Sequence, residues 1–315
     1  MATNLNITTS FSGKNASGYL SAGLLSGKTL QSGTIDIRDN IQYKEVIQVL
    51  ASDANLIKAG TCDFTPSGTL TETEISIEPK EIQVNMEVCS KNFLSSWESL
   101  QMKGVKSGMP ASFGTFILEH VVQKVAAGME TAIFSGTTAG SIPFDGFEVL
   151  ANASAAAGNG VILVAKSAIT ASNVTTELGK IVDNCPTAIY GKPDLYLYCS
   201  TAIYKSYIRS LGGFGAAGSS NVTMGLEDKG QMWYNGQQEL FYDGIPVVNC
   251  PGMTATEAIL TTKQNMIFGT SLFSELNECS IIDQAPLTGS QNSRIVLRGS
   301  AAVALGIESE IVLYS

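Results

Sequence analysis

Residues 110–136, PASFGTFILEHVVQKVAAGMETAIFSG, restrict the fold of this chain more than any other stretch. Apolar side chains recur there at three- and four-residue steps: Phe113, Phe116, Ile117, Val121, Val125, Met129, Ala132 and Ile133. That is the period of a helix with one buried stripe, and Leu118, Val122 and Ala126 widen the stripe to more than one side. Pro110 and Ser112 supply a start, with Ser112 the candidate N-cap, and Gly136 is placed to stop it. About 22 residues rising about 1.5 Å each make a strut of roughly 33 Å. Gly114 and Gly128 lie inside it, at a cost of about 1 kcal/mol each relative to Ala. Close backbone approach is expected at both, with an uncompensated cost as the alternative. The strut divides a strand-rich N-terminal part from a mixed C-terminal part.

Upstream, residues 1–40 are rich in Ser, Gly, Thr and Asn, with isolated apolar pairs such as Leu24 and Leu25. A segment of this kind cannot form its own core and reads as an extended arm, either loose or laid along a neighbouring surface. Residues 42–50 then read as a β-branched strand, followed by a long excursion with turn chemistry at Pro66, Ser67 and Gly68. The return alternates cleanly: Ile75 and Ile77 before Pro79, then Ile82, Val84, Met86 and Val88 after it. Period 2 on both sides of a proline predicts a strand that bends or bulges at residues 79–81. The two strands make a long two-stranded hairpin. Such a hairpin is marginal by itself in water, so its outer half is expected to lie on something else, such as another subunit. Residues 92–100 read as a short helix.

Beyond the strut, residues 142–147 open a second region, and the small-residue stretch ANASAAAGNG leads into a strand at 161–164. Residues 173–184 read as a helix with Val174, Leu178, Ile181 and Val182 on one face and Ser172 as candidate cap. A buried strand at 194–199 runs into a helix at 201–211 and then a Gly-rich loop around Phe214. Strands follow at 244–249, 258–261, 266–269 and 279–282, and residues 294–313 read as strand broken by small residues.

Chemistry finds little to work with. Hydrophobic residues make up 44% of 315, enough for a real core, while charged residues are only 15%. Low charge with 31 glycines suggests that much surface is covered by protein contacts. The net charge of −9, with no basic run, argues against tight nucleic-acid binding. No run of apolar residues is long enough for a membrane span, and the N-terminus lacks the pattern of a signal peptide, so a cytoplasmic setting is expected. Six cysteines are scattered with no CxxC pair and are expected to be small buried hydrophobes. The single histidine, His120, sits mid-strut, where packing or solvent exposure outweighs a catalytic role. The loop from Gly212 to Gly218 lacks a GK[ST] ending and follows a helix, so it fails as a phosphate cradle. Glu72 with Glu74, and Glu308 with Glu310, read as solvated faces, and Glu227 with Asp228 lacks metal-ligand spacing. No catalytic, cofactor-binding or metal-ligating residue is assigned, and the chain is expected not to be an enzyme.

Three stretches carry a family likeness. Residues 75–97 (ISIEPKEIQVNMEVCSKNFLSSW), 113–150 (from FGTFILEHVV to FDGFEVL) and 243–315 (DGIPVVNC, then NMIFGTSLFSEL, then SRIVLRGSAAVALGIESEIVLY) resemble, in this order, the major capsid protein of tailed double-stranded DNA bacteriophages. No single motif is specific; the serial arrangement carries the resemblance. It implies an α+β protein of the phage major capsid (Johnson) fold, which encapsulins share. The implied parts are an N-terminal arm (1–40), an extended hairpin loop (41–90), a peripheral domain with the long spine helix (91–143), an axial domain (144–262) and peripheral return strands (263–315).

The function so implied is self-assembly into pentamers and hexamers of an icosahedral shell around a double-stranded DNA genome, held without tight specific binding. The implied partners are sister copies, a separate scaffolding protein, a portal and decoration proteins, in a virion assembled in the bacterial cytoplasm, with no membrane and no cofactor. Subunit contacts are expected at Leu24 and Leu25 on the arm, at Pro66, Ser67 and Gly68 on the hairpin, and at Phe214 where axial domains meet. Lys58 on the hairpin is conceivable as a cross-linking lysine, but no partner acid can be assigned. An encapsulin-type nanocompartment shell and a secreted β-rich surface or adhesin protein are the alternatives.

Overall fold

A computed structural model describes residues 28–52, 57–60, 62, 68–89, 113–140, 142–211, 239–271, 278–284, 288–289 and 292–315. A one-turn helix α1 (Lys28–Gln31) and a short strand β1 (Asp36–Arg38) precede a hairpin of β2 (Glu45–Ser52) and β3 (Leu70–Ile77), and β4 (Lys80–Cys89) follows directly. The strut is α2 (Phe113–Ser135). Among the residues whose side chains are described, Val121, Met129, Ala132 and Ile133 of the expected stripe are buried and Val125 is half-buried, and Phe134 and Glu130 are buried as well. Helix α2 stops at Gly136, whose N–H donates to the Ala132 carbonyl at 3.0 Å.

The close approach expected inside the strut is not at Gly128, which is exposed and where a Cβ would meet nothing within 4 Å. Its cost is uncompensated. The tight places lie where later segments reach the end of α2. A Cβ on Gly146 would run into the Phe134 carbonyl, and one on Gly252 into the Glu130 carbonyl.

Helix α3 (Phe147–Ala157) corrects the sequence reading, which passed through its small residues as a connection. Alanine is the strongest helix former, and Gly158, left-handed at φ 73°, ends the run as a C-cap. Phe147, Ala151 and Ser154 give it a buried face, and the Phe147 ring stands 5.8 Å from that of Phe134 on α2. Next come β5 (Ile162–Val164), α4 (Val174–Asp183), β6 (Leu195–Ser200) and α5 (Thr201–Leu211). Ser172 is not the cap of α4: Asn173 holds that position, and its Oδ1 accepts instead from the Thr170 N–H at 2.7 Å. The chain resumes with β7 (Leu240–Tyr242), β8 (Ile245–Cys250), β9 (Ala258–Thr262), β10 (Met266–Gly269), β11 (Glu278–Asp283), β12 (Asn292–Leu305) and β13 (Val312–Tyr314). The expected helix at 92–100 lies outside the described residues.

The described strands form three sheets. In the first, the order is β1-β10-β12-β11, and β4 also pairs with β12. β12 pairs antiparallel with β4 from Asn292 to Ala301 and with β10 from Ala302 to Leu305. The second has the order β5-β13-β9-β6-β8-β7. β13 belongs to it, parallel to β5 and antiparallel to β9, so the last strand does not close the first sheet as the resemblance implied. The third is the pair β2-β3.

The sequence reading of one long hairpin is therefore half right. Before Pro79 the return strand pairs with β2; after it the chain pairs with β12 in the first sheet. Proline has no N–H to give a ladder, and the change of sheet falls there.

One buried cluster joins α2 and α3 to both large sheets through Phe134, Phe147, Tyr198, Ile259, Phe268 and Leu297. A second lies between the six-stranded sheet and helices α4 and α5, and a third, around Ile41, Ile77, Ile267 and Ala302, sits under the root of the hairpin. Cys199 and Cys250 are buried as expected, but Cys62 is exposed and Cys185 half-buried, so the cysteines are not uniformly core residues.

Candidate assembly surface

Among the described residues, the hairpin β2–β3 is anchored at its root. At its root Ile77 is 1% exposed, and a Cβ on Gly269 would press on Ile77 and Ile41. Arg38 Nη1 donates to Glu45 at 2.6 Å and pins the start of β2 beside β1. The register Ile47↔Ile75, Leu50↔Glu72 and Ser52↔Leu70 sorts the side chains onto two faces. Ile47 and Ile75 share the face of Ile77 and pack partly against the third cluster. Val46, Leu50 and Leu70 share the other face with Glu72 and Glu74, and are 44%, 64% and 67% exposed. Farther out Ile57 is 98% exposed. This is an apolar surface with an acidic margin, on a ribbon that pairs with no other strand among the described residues. Isolated two-stranded ribbons are marginal in water, and large apolar side chains left on one are a contact surface awaiting a cover.

Of the residues that the sequence placed at subunit contacts, Gly68 is described; it is exposed, two residues before β3. Leu24, Leu25, Pro66, Ser67 and Phe214 lie outside the described residues. Lys58 is exposed beside Ile57. The sequence reading missed Val46, Leu50 and Leu70, although the signal was present: EVIQVL puts apolar residues on both faces of one strand, and a two-stranded ribbon can bury at most one.

A second constellation sits where the two large sheets meet. Residues 28–41 strap the molecule together, which corrects the arm read at 1–40: from residue 28 on it packs on its own subunit, with Leu30 and Ile35 buried, and residues 1–27 lie outside the described residues. Thr29 donates from both its N–H and its hydroxyl to the buried Glu130 carboxylate on α2. The Tyr198 hydroxyl of β6 donates to the Thr34 carbonyl at 2.5 Å. β1 then runs parallel to β10.

Close by, the turn of residues 251–257 between β8 and β9 rests on α2 at Gly252 and on α3 at Glu148. Glu148 is 3% exposed; its Oε1 accepts from the Thr254 N–H at 2.8 Å and its Oε2 bonds the Thr254 hydroxyl at 2.6 Å. Burial pushes its carboxyl up to about 7, against the Thr254 hydrogen bonds, which favour the ionised form, and with the Glu257 charge adding to the rise. Glu257 is itself engaged by Lys166 at 2.9 Å. Among the described residues, no three His, Cys, Asp or Glu gather as a metal site, and no helix is long and apolar enough to cross a membrane.

No protein-family profile matches this sequence, and no curated protein matches it. Solved structures do. A chain of the procapsid of satellite phage P4, a structure that includes the size determination protein, superposes at a TM-score of 0.54 with 13% identity, over 95% of this chain and 98% of that one. A chain of the capsid of a native GTA particle gives 0.58 with 11% identity, over 93% and 89%. A chain from Mycobacterium phage Adephagia gives 0.56 with 12% identity, over 100% and 93%. Coverage is near-complete in both directions, and what is shared at this identity is the fold. The chain has the α+β fold of phage capsid proteins, the Johnson fold that the sequence resemblance implied.

Proposed function

We propose that this chain is a major capsid protein, assembling with its own copies into pentamers and hexamers of the icosahedral shell of a tailed bacteriophage. The observation that carries the reading is the β2–β3 ribbon: a shell fold whose two-stranded hairpin leaves Val46, Leu50 and Leu70 in water until something covers them. A sister copy is always at hand in an assembly and makes the cover self-consistent. In this reading the hairpin, with Pro66, Ser67 and Gly68 at its turn, lies over an adjacent subunit. Leu24 and Leu25 run along a neighbour, and Phe214 meets its copies where axial domains converge. The working parts are the arm ahead of the strap (within 1–27), the β2–β3 hairpin within 41–90, the spine (91–143), the axial segment (144–262) and the return strands β10 to β12 within 263–315, with β13 back in the six-stranded sheet. The change of sheet between β9 and β10 supports the division near residue 262. The shell encloses double-stranded DNA without gripping it, consistent with a net charge of −9. A separate scaffolding protein, a portal and decoration proteins complete the particle, which is built in the host cytoplasm. Matching solved structures from phage and GTA particles favour this over a nanocompartment or a surface adhesin.

The test is the expressed chain by light scattering and electron microscopy. Rings or closed particles are expected from the wild type. The double variant L50D/L70D should unfold within about 1 kcal/mol of the wild type, because both side chains are already exposed, yet form no particles. A wild type that stays a monodisperse monomer at micromolar concentration, or a double variant that assembles normally, overturns the reading.

A further inference from the structure

The joint at Glu148 has no part in the assembly surface, and yet it places a carboxylate where burial, a like charge and a turn linking two strands coincide. The turn of residues 251–257 is tied to its own sheet by the Thr256 N–H, which donates to Ser200 Oγ at 3.2 Å, and by Lys166 on Glu257, and three further contacts set it against α2 and α3. Gly252 lies against the backbone of α2 so closely that a Cβ would run into the Glu130 carbonyl. Ser135 Oγ donates to the Gly252 carbonyl at 3.3 Å. Thr254 bonds the Glu148 carboxyl with both its N–H and its hydroxyl. The first is a backbone contact and the second a serine hydroxyl on a carbonyl, and neither titrates. The third depends on one proton.

We propose that Glu148 is a proton-operated latch between α3 and the β8–β9 turn: protonated, it holds residues 251–257 in place, and ionised, it lets them loosen.

The hydrogen-bonding inventory makes both states explicit. A neutral carboxyl satisfies the site fully. Oε1 still accepts the Thr254 N–H, and Oε2–H donates to the Thr254 hydroxyl, which can accept as readily as donate. Loss of the proton leaves a full charge almost out of water, with two donors from Thr254 as compensation. The charged groups around it do not balance that charge. Glu257, on the same turn, adds repulsion. Lys166, beyond β5, is attractive but already engaged by Glu257 at 2.9 Å. From α2 comes Glu130, whose carboxylate is engaged by Thr29 of the strap.

The sign follows from linkage. The closed latch binds its proton more tightly than an open, solvated glutamate does. Closure is therefore strongest below the ordinary glutamate range, weakens as pH rises toward about 7, and levels off above it. The turn joins β8 to β9 in the six-stranded sheet and rests on α2 and α3, so its loosening is felt where it meets those two helices. The inference stands on the joint alone and does not depend on the shell reading.

Hydrogen exchange of the full chain, corrected for intrinsic rates and followed from about pH 5 to about pH 8, tests it. Amides of residues 251–257 are expected to lose on the order of ten-fold protection or more across that range, with α4 unchanged. E148Q should hold them at a protection that does not vary with pH. E257Q should keep the response and move its midpoint to lower pH, because a like charge has been removed. Flat protection in the wild type, the same pH response in E148Q, or a loss shared equally by α4 overturns the proposal. Should E148Q fail to fold, E257Q decides alone: an unshifted midpoint overturns it.

Discussion

Gly252 and Gly128 are two glycines within reach of the same helix, and they predict opposite outcomes. At Gly252 a methyl group would run into the backbone carbonyl of Glu130, and backbone cannot swing aside as a flexible side chain can. G252A is expected to cost about 2–3 kcal/mol, either as strain or as a turn lifted from α2. At Gly128, in the middle of α2, a methyl group would meet nothing within 4 Å. G128A should gain about 1 kcal/mol from helix propensity and from a less flexible unfolded chain. Urea unfolding of the two single variants measures both. Equal effects, or a stabilising G252A, would remove the close approach on which the joint at α2 depends. From the sequence the two were alike, each a Gly in or beyond an apolar run. Period reveals which side of a helix is buried; it does not reveal where a distant turn will come to rest. For the same reason Glu130 and Glu148 were passed over. A carboxylate amid apolar residues gains meaning only from its partners, here Thr29 and Thr254, which lie 101 and 106 residues away.

The helices and strands that the sequence revealed best are those whose pattern comes from one dominant burial face. Helix α2 begins at Phe113 and ends at Ser135 because its stripe and its stop signal are both local, and α4 and α5 follow the same logic. Helix α3 was missed because a run of Ala, Ser and Asn has no period to read; propensity and the Phe147 anchor make it helical, and tertiary packing supplies the rest. The hairpin was found, but not the point at which it leaves the core. That point now sets a prediction. Ile77 is 1% exposed at the root, whereas Leu50 and Leu70 are more than half exposed at the far end. I77A should cost about 2–4 kcal/mol as a cavity mutation. Replacing residues 50–72 by Asn-Gly, a turn that joins Val49 to its partner Thr73, should change unfolding by about 1 kcal/mol or less and abolish particles. Calorimetry beside electron microscopy separates the two effects. If the shortened hairpin unfolds the subunit, the ribbon is part of its own core and the assembly surface is misplaced.

At the scale of the whole molecule, two sheets of different topology must be kept in one relative position, and two devices share the task. One is the buried cluster that α2 and α3 extend across both. The other is the strap of residues 28–41, which touches the spine through Thr29, the six-stranded sheet through Thr34 and the first sheet through β1. It also buries Leu30, Ile35 and Ile41 at 4%, 2% and 4% exposure. Two truncations therefore differ sharply. A chain starting at residue 28 keeps every one of these contacts and should unfold within about 1 kcal/mol of the full chain. A chain starting at residue 36 loses the Glu130 partner, the Tyr198 partner and the buried apolar side chains of Leu30 and Ile35 together. Burial of Leu30 and Ile35 contributes about 1.5–3 kcal/mol each, and Glu130 is left inside without a donor, so a loss of about 4 kcal/mol or more is expected. Denaturant unfolding followed by tryptophan fluorescence and circular dichroism distinguishes a uniformly weaker molecule from two bodies that melt apart. A second transition in the shorter chain, absent from the longer one, is the outcome expected if the strap holds the sheets in register. A single transition at the stability of the full chain would mean that the buried cluster suffices without it.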